Sequence, residues 1–221
     1  FVCLDAANGT VIWKHENKGG YYWAGAVAVG DYIFVGTDDG QAAEKNGTSQ
    51  ILSFWKDQTT GTPAKTLSLP GLGDVRSSLA VSGGRVYFTT KGGYLCSAKA
   101  DGTTGELLDL QTLLIGASTS TPVVYGGFVY VGVGTGSGPN GSFVIAKEDA
   151  GTKALSFVKS IALSGSAQGS VLLTTAYAAD GSLYFYECFN EKPGGMDCIR
   201  VNAADPSQAE AFTLYDAKGY E

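Results

Sequence analysis

Pro122-Val123-Val124-Tyr125-Gly126-Gly127-Phe128-Val129-Tyr130-Val131 is the stretch on which the fold turns. A short apolar run meets two glycines and returns through a second apolar run carrying an aromatic, the pattern of a tight β-hairpin. The same design recurs around Gly30-Asp31, Gly83-Gly84 and Asp180-Gly181. It places Phe34, Tyr87, Tyr130 and Tyr184 at spacings of 53, 43 and 54 residues. A strand-built period of that size predicts a repeat architecture.

Each hairpin is followed by a loop, a third strand, a turn and a fourth strand. These pairs read ILSFWKD/AKTLSL, YLCSAKA/ELLDLQT, FVIAKED/ALSFVKS and CIRVNAA/AFTLYD, and a fifth pair, FVCLDA/TVIWKHE, opens the chain. Four antiparallel strands per repeat make one propeller blade. The expectation is an all-β propeller of about four and a half blades, five if closed. Its outer half-blade is 1–16 and its blades run roughly over 24–70, 76–114, 120–163 and 169–216. The 32 glycines, 44% apolar and 11% aromatic residues suit many short strands, and no window keeps helical spacing.

The uneven period has a local source. Between second and third strands the second copy has only 91–93, whereas 37–50, 132–142 and 189–197 are inserted in the others. In a propeller those loops share a face with the blade-to-blade connections, so length gathers on one rim. That marks a recognition surface or drift in tolerant loops. Four inner hairpins against five outer pairs leave the first blade without its inner half. A further chain segment or a second protomer is expected to cover the gap. Phe1 begins inside a strand pattern, so the start is expected to be processed or truncated.

Val2-Cys3-Leu4-Asp5-Ala6-Ala7-Asn8-Gly9-Thr10-Val11-Ile12-Trp13 and Thr121 to Gly132 resemble the two halves of the repeat of the pyrroloquinoline-quinone-like propellers. That resemblance implies the propeller fold. Its family divides into quinoprotein dehydrogenases, outer-membrane-assembly lipoproteins and secreted or surface proteins. The dehydrogenases are similar to a ring of eight blades with calcium, a catalytic Asp and often adjacent bonded cysteines. This chain has no adjacent cysteines and no position matching those ligands, so no functional residue carries over.

Composition narrows the chemistry. The net charge is −6, and fifteen Lys and Arg lie scattered without the basic stripe that phosphates or anionic lipids require. Apolar runs are too short to cross a bilayer. His15, the one histidine, sits in a charged strand end without triad partners, and no Gly-x-Ser-x-Gly elbow occurs. Gly132-Val133-Gly134-Thr135-Gly136 mimics a dinucleotide fingerprint without the helix that would follow it. Asp38 and Asp39, with Glu44 nearby, form a weak candidate for a hard cation and an equally ordinary turn. Asp5, Asp57, Asp101 and Asp149 recur before the outer turn as local hydrogen-bond acceptors. Asn8, Asn46 and Asn140 precede Gly-Thr/Ser as turns or glycan acceptors. Cys188 and Cys198 flank a hairpin loop where a disulfide could form; the alternative is four buried thiols with Cys3 and Cys96.

Residues entering the innermost strands converge at the mouth of the central channel. By alignment these are Tyr22, Trp23, Asp74, Arg76, Thr119, Ser120 and Gln168. Exposed aromatics beside polar groups supply contact area and orientation, unless Trp23 packs between blades. The function expected is non-catalytic recognition of a protein or glycan through the loop-rich face, by a secreted, cell-surface or bacterial-envelope protein. No cofactor, nucleic acid or membrane insertion is expected. The alternatives are a fragment of a quinoprotein oxidoreductase and an envelope assembly scaffold.

Overall fold

The glycine turns do what the pattern predicts, each returning a strand beside its predecessor. The structure, a computed structural model, describes residues 1–39, 48–134, 140–191 and 194–217. Strands β1 (Val2–Leu4) and β2 (Val11–Lys14) pair as a two-stranded sheet. Four four-stranded antiparallel sheets follow. The first is β3 (Val27–Val29), β4 (Tyr32–Gly36), β5 (Thr48–Trp55) and β6 (Lys65–Pro70). The second is β7 (Ala80–Ser82), β8 (Arg85–Thr89), β9 (Tyr94–Ala100) and β10 (Leu107–Leu114). The third is β11 (Val123–Tyr125), β12 (Phe128–Val133), β13 (Ser142–Glu148) and β14 (Leu155–Ala162). The fourth is β15 (Leu172–Thr174), β16 (Ser182–Phe189), β17 (Gly195–Asn202) and β18 (Ala209–Asp216).

Each four-stranded sheet meanders outward from a three-residue inner strand. The inner strands β3, β7 and β11 touch in sequence, as do the outer strands β10, β14 and β18. Sheets so arranged are blades about a common axis, and the fold is a β-propeller. Apolar faces fill the wedges between them. Trp13 stacks on Phe54 with ring centroids 5.1 Å apart. Phe34 packs with Val86 and Phe88, Tyr87 with Val129, and Tyr130 with Phe185 at 4.3 Å. The aromatics Phe34, Tyr87 and Tyr130 are thus interblade fillers, and burying each ring contributes on the order of 2 kcal/mol.

A repeated backbone bond holds the rim. The residue leaving each second strand donates to a carbonyl of the connection entering the same blade. The pairs are Asp38 to Gly20, Lys91 to Asp74, Gly134 to Ala117 and Asn190 to Ser166, at 2.8–3.1 Å. Val75 and Ser118 donate back to Thr37 and Thr90 of the preceding blade, both at 3.2 Å. The second-to-third loops and the blade connections therefore share one face. The inserted residues 40–47, 135–139 and 192–193 lie outside the described residues.

At the outer turns, Oδ1 of Asp5, Asp101 and Asp149 each accepts two backbone N–H groups of the turn, and Asn202 does the same in the fourth blade. These amide donors hold the Asp101 and Asp149 carboxyls below their ordinary pKa. In the first blade Gln58, not Asp57, makes the equivalent bond, to Trp55 N–H. His15 is satisfied structurally, with Nδ1 donating to the Gly61 carbonyl at 2.8 Å.

Two expectations need correction. The fourth hairpin does not turn at Asp180-Gly181 between adjacent strands. Thr174 pairs with Tyr184, and a 3-10 turn at Ala178–Asp180 fills the longer connection, with Tyr177 set edge-on against Tyr184. The repeat aromatic of that blade is therefore Tyr186, opposite Leu172, as Tyr130 is opposite Val123. No disulfide joins Cys188 and Cys198; all four cysteines are free. Cys188 stands opposite Met196 and Cys198 opposite Tyr186. Their relation is diagonal, roughly 7–8 Å across, beyond the span of a disulfide.

The next residue in register breaks the apolar rule. Val35, Phe88 and Val131 follow their repeat aromatics and are buried; the fourth blade puts Glu187 there, at 0% exposure. Neither carboxylate oxygen has a hydrogen-bond partner. Gly132 lies so close that a methyl group on it would sit 2.9 Å from Oε1. The Gly169 amide lies nearby, outside hydrogen-bonding geometry, and favours the charged form only slightly. Burial dominates and pushes the carboxyl up to about 8. Because the folded pKa lies above the unfolded value, the stabilisation is complete below pH about 4.5 and lost as pH rises through about 8. Glu187→Gln should therefore stabilise the fold by on the order of a few kcal/mol at pH 8.5 and leave it nearly unchanged at pH 4.5, read by urea denaturation at both. An equal effect at both pH values would show that Glu187 is not buried neutral.

Candidate functional site at the axial mouth

The repeat brings equivalent positions together at the axis. Four residues before each inner strand stand Trp23, Arg76, Thr119 and Gln168; two before stand Gly25, Ser78, Thr121 and Ser170. All of these except Gly25, together with Gly169, line a concavity of about 380 Å³ on the face of the second-to-third loops. Hydrogen bonds run from blade to blade beneath it. Gly25 N–H donates to Ser78 Oγ and Ser78 N–H to Thr121 Oγ1, both at 3.1 Å. Thr119 Oγ1 donates to the Gln168 carbonyl at 3.2 Å, and within the fourth blade Asn190 Nδ2 donates to Gln168 Oε1 at 3.1 Å. Gly25 is required by this closeness, since a Cβ there would sit 2.4 Å from Ser78 Oγ.

Arg76 is held from two sides. Its Nε donates to Asp38 Oδ2 at 2.8 Å and its Nη2 to Asp74 Oδ2 at 3.2 Å. Both carboxylates are buried beneath it. The Asp39 N–H donates to the other oxygen of Asp74 at 3.1 Å. The guanidinium lies 5.2 Å from the Tyr22 ring centroid and 5.8 Å from that of Trp23, within cation–π range. Burial and then the Asp74 charge raise the Asp38 carboxyl to about 6, against the opposing pull of Arg76.

Trp23 departs most from what folding alone asks. It is 69% exposed, and its backbone φ is +59°. A non-glycine residue in the left-handed region carries strain of order 1 kcal/mol. Exposure means that little burial offsets it.

Of the residues expected at the mouth, Trp23, Arg76, Thr119 and Gln168 line it and Tyr22 stacks beside Arg76. Asp74 lies under Arg76 as its counter-ion. Ser120 is turned inward, its Oγ accepting from Gly132 N–H at 3.2 Å; its neighbour Thr121 faces the mouth instead. Asp38 spends its carboxylate on Arg76, and Glu44 lies outside the described residues. Among the described residues no cluster of three His, Cys, Asp or Glu could hold a metal ion. Ser78, Thr121 and Ser170 were missed although their signal was available: each stands two residues before an aligned inner strand.

Neither a family model nor a curated protein matches the sequence. Solved structures do. A Bacteroides uniformis protein assigned as a 6-phosphogluconolactonase is 14% identical, with 87% of this chain covering 52% of it at a TM-score of 0.59. BamB from Moraxella catarrhalis, a β-propeller, is 15% identical, with 100% of this chain covering 65% of it at 0.55. The computationally designed Ika8 protein is 13% identical, with 96% of this chain covering 51% of it at 0.52. The chain thus spans between half and two thirds of the structures it matches. At such identities the likeness establishes the fold and nothing finer.

Removing Arg76 tests the ion cluster. Arg76→Ala leaves two buried carboxylates facing each other and should cost about 3 kcal/mol in urea denaturation at pH 7.5. Adding Asp38→Asn and Asp74→Asn to that variant should recover most of the loss. No recovery would mean that Arg76 acts through packing alone.

Proposed function

We propose that this propeller is a non-catalytic recognition module, with its ligand seated in the axial mouth on the loop-rich face. We read its repeat as the pyrroloquinoline-quinone-like class and its setting as a secreted, cell-surface or envelope protein. The partner is a protein or a glycan. Trp23 carries the reading: a large aromatic held exposed, in a strained backbone, where four blades converge. Binding surfaces keep such side chains because the contact they make on binding outweighs their cost in the free protein.

A second contact surface goes with this reading. Val2, Leu4, Val11 and Ile12 are exposed on the two-stranded sheet, as are Leu172, Phe212, Leu214 and Tyr215 on the fourth four-stranded sheet. Further propeller sheet or a second protomer would cover apolar faces of this kind.

Trp23→Asn separates binding from folding, because asparagine tolerates left-handed backbone. Its Tm should stay within about 3 °C of the parent. Retention on immobilised cell-surface protein and polysaccharide fractions should fall about tenfold or more. Undiminished retention at equal Tm would place the recognition surface elsewhere.

A further inference from the structure

We infer that the ligand of the mouth is an uncharged carbohydrate, a hexose unit laid with its apolar ring face on the Trp23 indole. This rests on the reading of the mouth as the binding site and adds the chemistry of what enters it.

Charge comes first. Among the described residues lining the concavity, Arg76 alone is charged. Asp38 and Asp74 bind its Nε and Nη2 from below, so the guanidinium presents no uncompensated positive charge to an anion. The carboxylates are themselves covered and offer a cation no direct contact. A phosphate, uronate or ammonium group would lose its hydration at the mouth and find no counter-charge there. Neutral ligands lose far less.

The remaining lining is hydroxyl and amide, biased toward donation. Ser78 Oγ and Thr121 Oγ1 each already accept a backbone N–H, which leaves their O–H protons free to donate. Gln168 Oε1 already accepts from Asn190, which leaves its NH2 group. Arg76 uses Nε and Nη2 on the carboxylates, which leaves Nη1. Donors spread around a ring, with one flat aromatic at the edge, match a molecule that has hydroxyl oxygens round its circumference and C–H groups on one face. A pyranose has that shape. A wholly apolar ligand would strand these donors without partners.

The test is calorimetry and tryptophan fluorescence with the folded chain. The probes are gluco-, galacto- and manno-configured neutral disaccharides, their uronate and amino-sugar counterparts, and an acetylated, amidated proline-rich peptide. At least one neutral disaccharide should bind, with an affinity changing less than about twofold between 20 and 500 mM NaCl, as expected without ion pairing. Its uronate and amino-sugar forms should bind at least about tenfold more weakly, and Trp23→Asn should abolish the signal. Stronger binding of a charged sugar, or a steep salt dependence, overturns the inference. Trp23-dependent binding of the peptide alone, or of surface fractions with no sugar bound, overturns the carbohydrate assignment and leaves the mouth as the site. Sugar binding undisturbed by Trp23→Asn overturns both.

Discussion

The structure depends on how closely its sheets approach at the axis. The inner strands β3, β7 and β11 touch in sequence, and the segments feeding the four inner strands must cross that narrow space. The repeated N–H bond from the end of each second strand to the incoming connection meets this constraint. It satisfies the backbone where the chain leaves the sheet and fixes the depth at which each connection lies. Aromatic packing in the wedges supplies most of the energy, but packing alone is non-directional. The rim bonds select the geometry in which the same residue of each repeat arrives at the same height.

Equivalence of position allows inequality of chemistry. Trp23, Arg76, Thr119 and Gln168 occupy one level of the repeat and share no property. A repeat scaffold needs only its fillers and turns to be alike; the four axial positions are free to differ. Here one is a planar aromatic, one a neutralised cation, and two are polar and uncharged. The Arg76 cluster resolves a conflict this creates. A guanidinium between two indispensable loops would be costly to bury alone. Asp38 and Asp74 offset it, and in doing so tie the second-to-third loop of the first blade to the connection entering the second.

Much of this was readable in the sequence, for identifiable reasons. Glycine turns and interblade aromatics recur at fixed offsets, so three of the four inner hairpins fall where Gly30, Gly83-Gly84 and Gly126-Gly127 place them. The outer turns were equally plain, because an Asp that accepts two neighbouring N–H groups acts within five residues. The fourth hairpin misled because Asp180-Gly181 is a good turn dipeptide, yet a 3-10 turn absorbs the added length and moves the register aromatic to Tyr186. Cys188 and Cys198 lie a plausible number of residues apart, but the pairing register, invisible in spacing, sets them diagonally. Asp38 read as a turn or a cation ligand because its partner, Arg76, lies in another blade. Glu187 gave no signal at all: only a correct register shows that it stands where the other blades carry Val35, Phe88 and Val131.

The same closeness explains why a cavity exists where a core might be expected. Between neighbouring blades some positions have no room even for a Cβ. A Cβ on Gly36 would meet Val75 at 2.3 Å, and one on Gly132 would meet Ala167 at 2.8 Å. Small residues and hydroxyls are what fit, and hydroxyls have the further use of accepting the backbone N–H groups of Gly25 and Ser78. A lining made of serine, threonine and glycine cannot fill the widening space above it, so the mouth stays open and polar. The bulky groups that do approach, Tyr22, Trp23 and Arg76, stand at its edge rather than in it. An axis too tight for a hydrophobic core thus yields a hydrophilic basin with one aromatic wall, and the composition of that basin follows from packing before any ligand is considered.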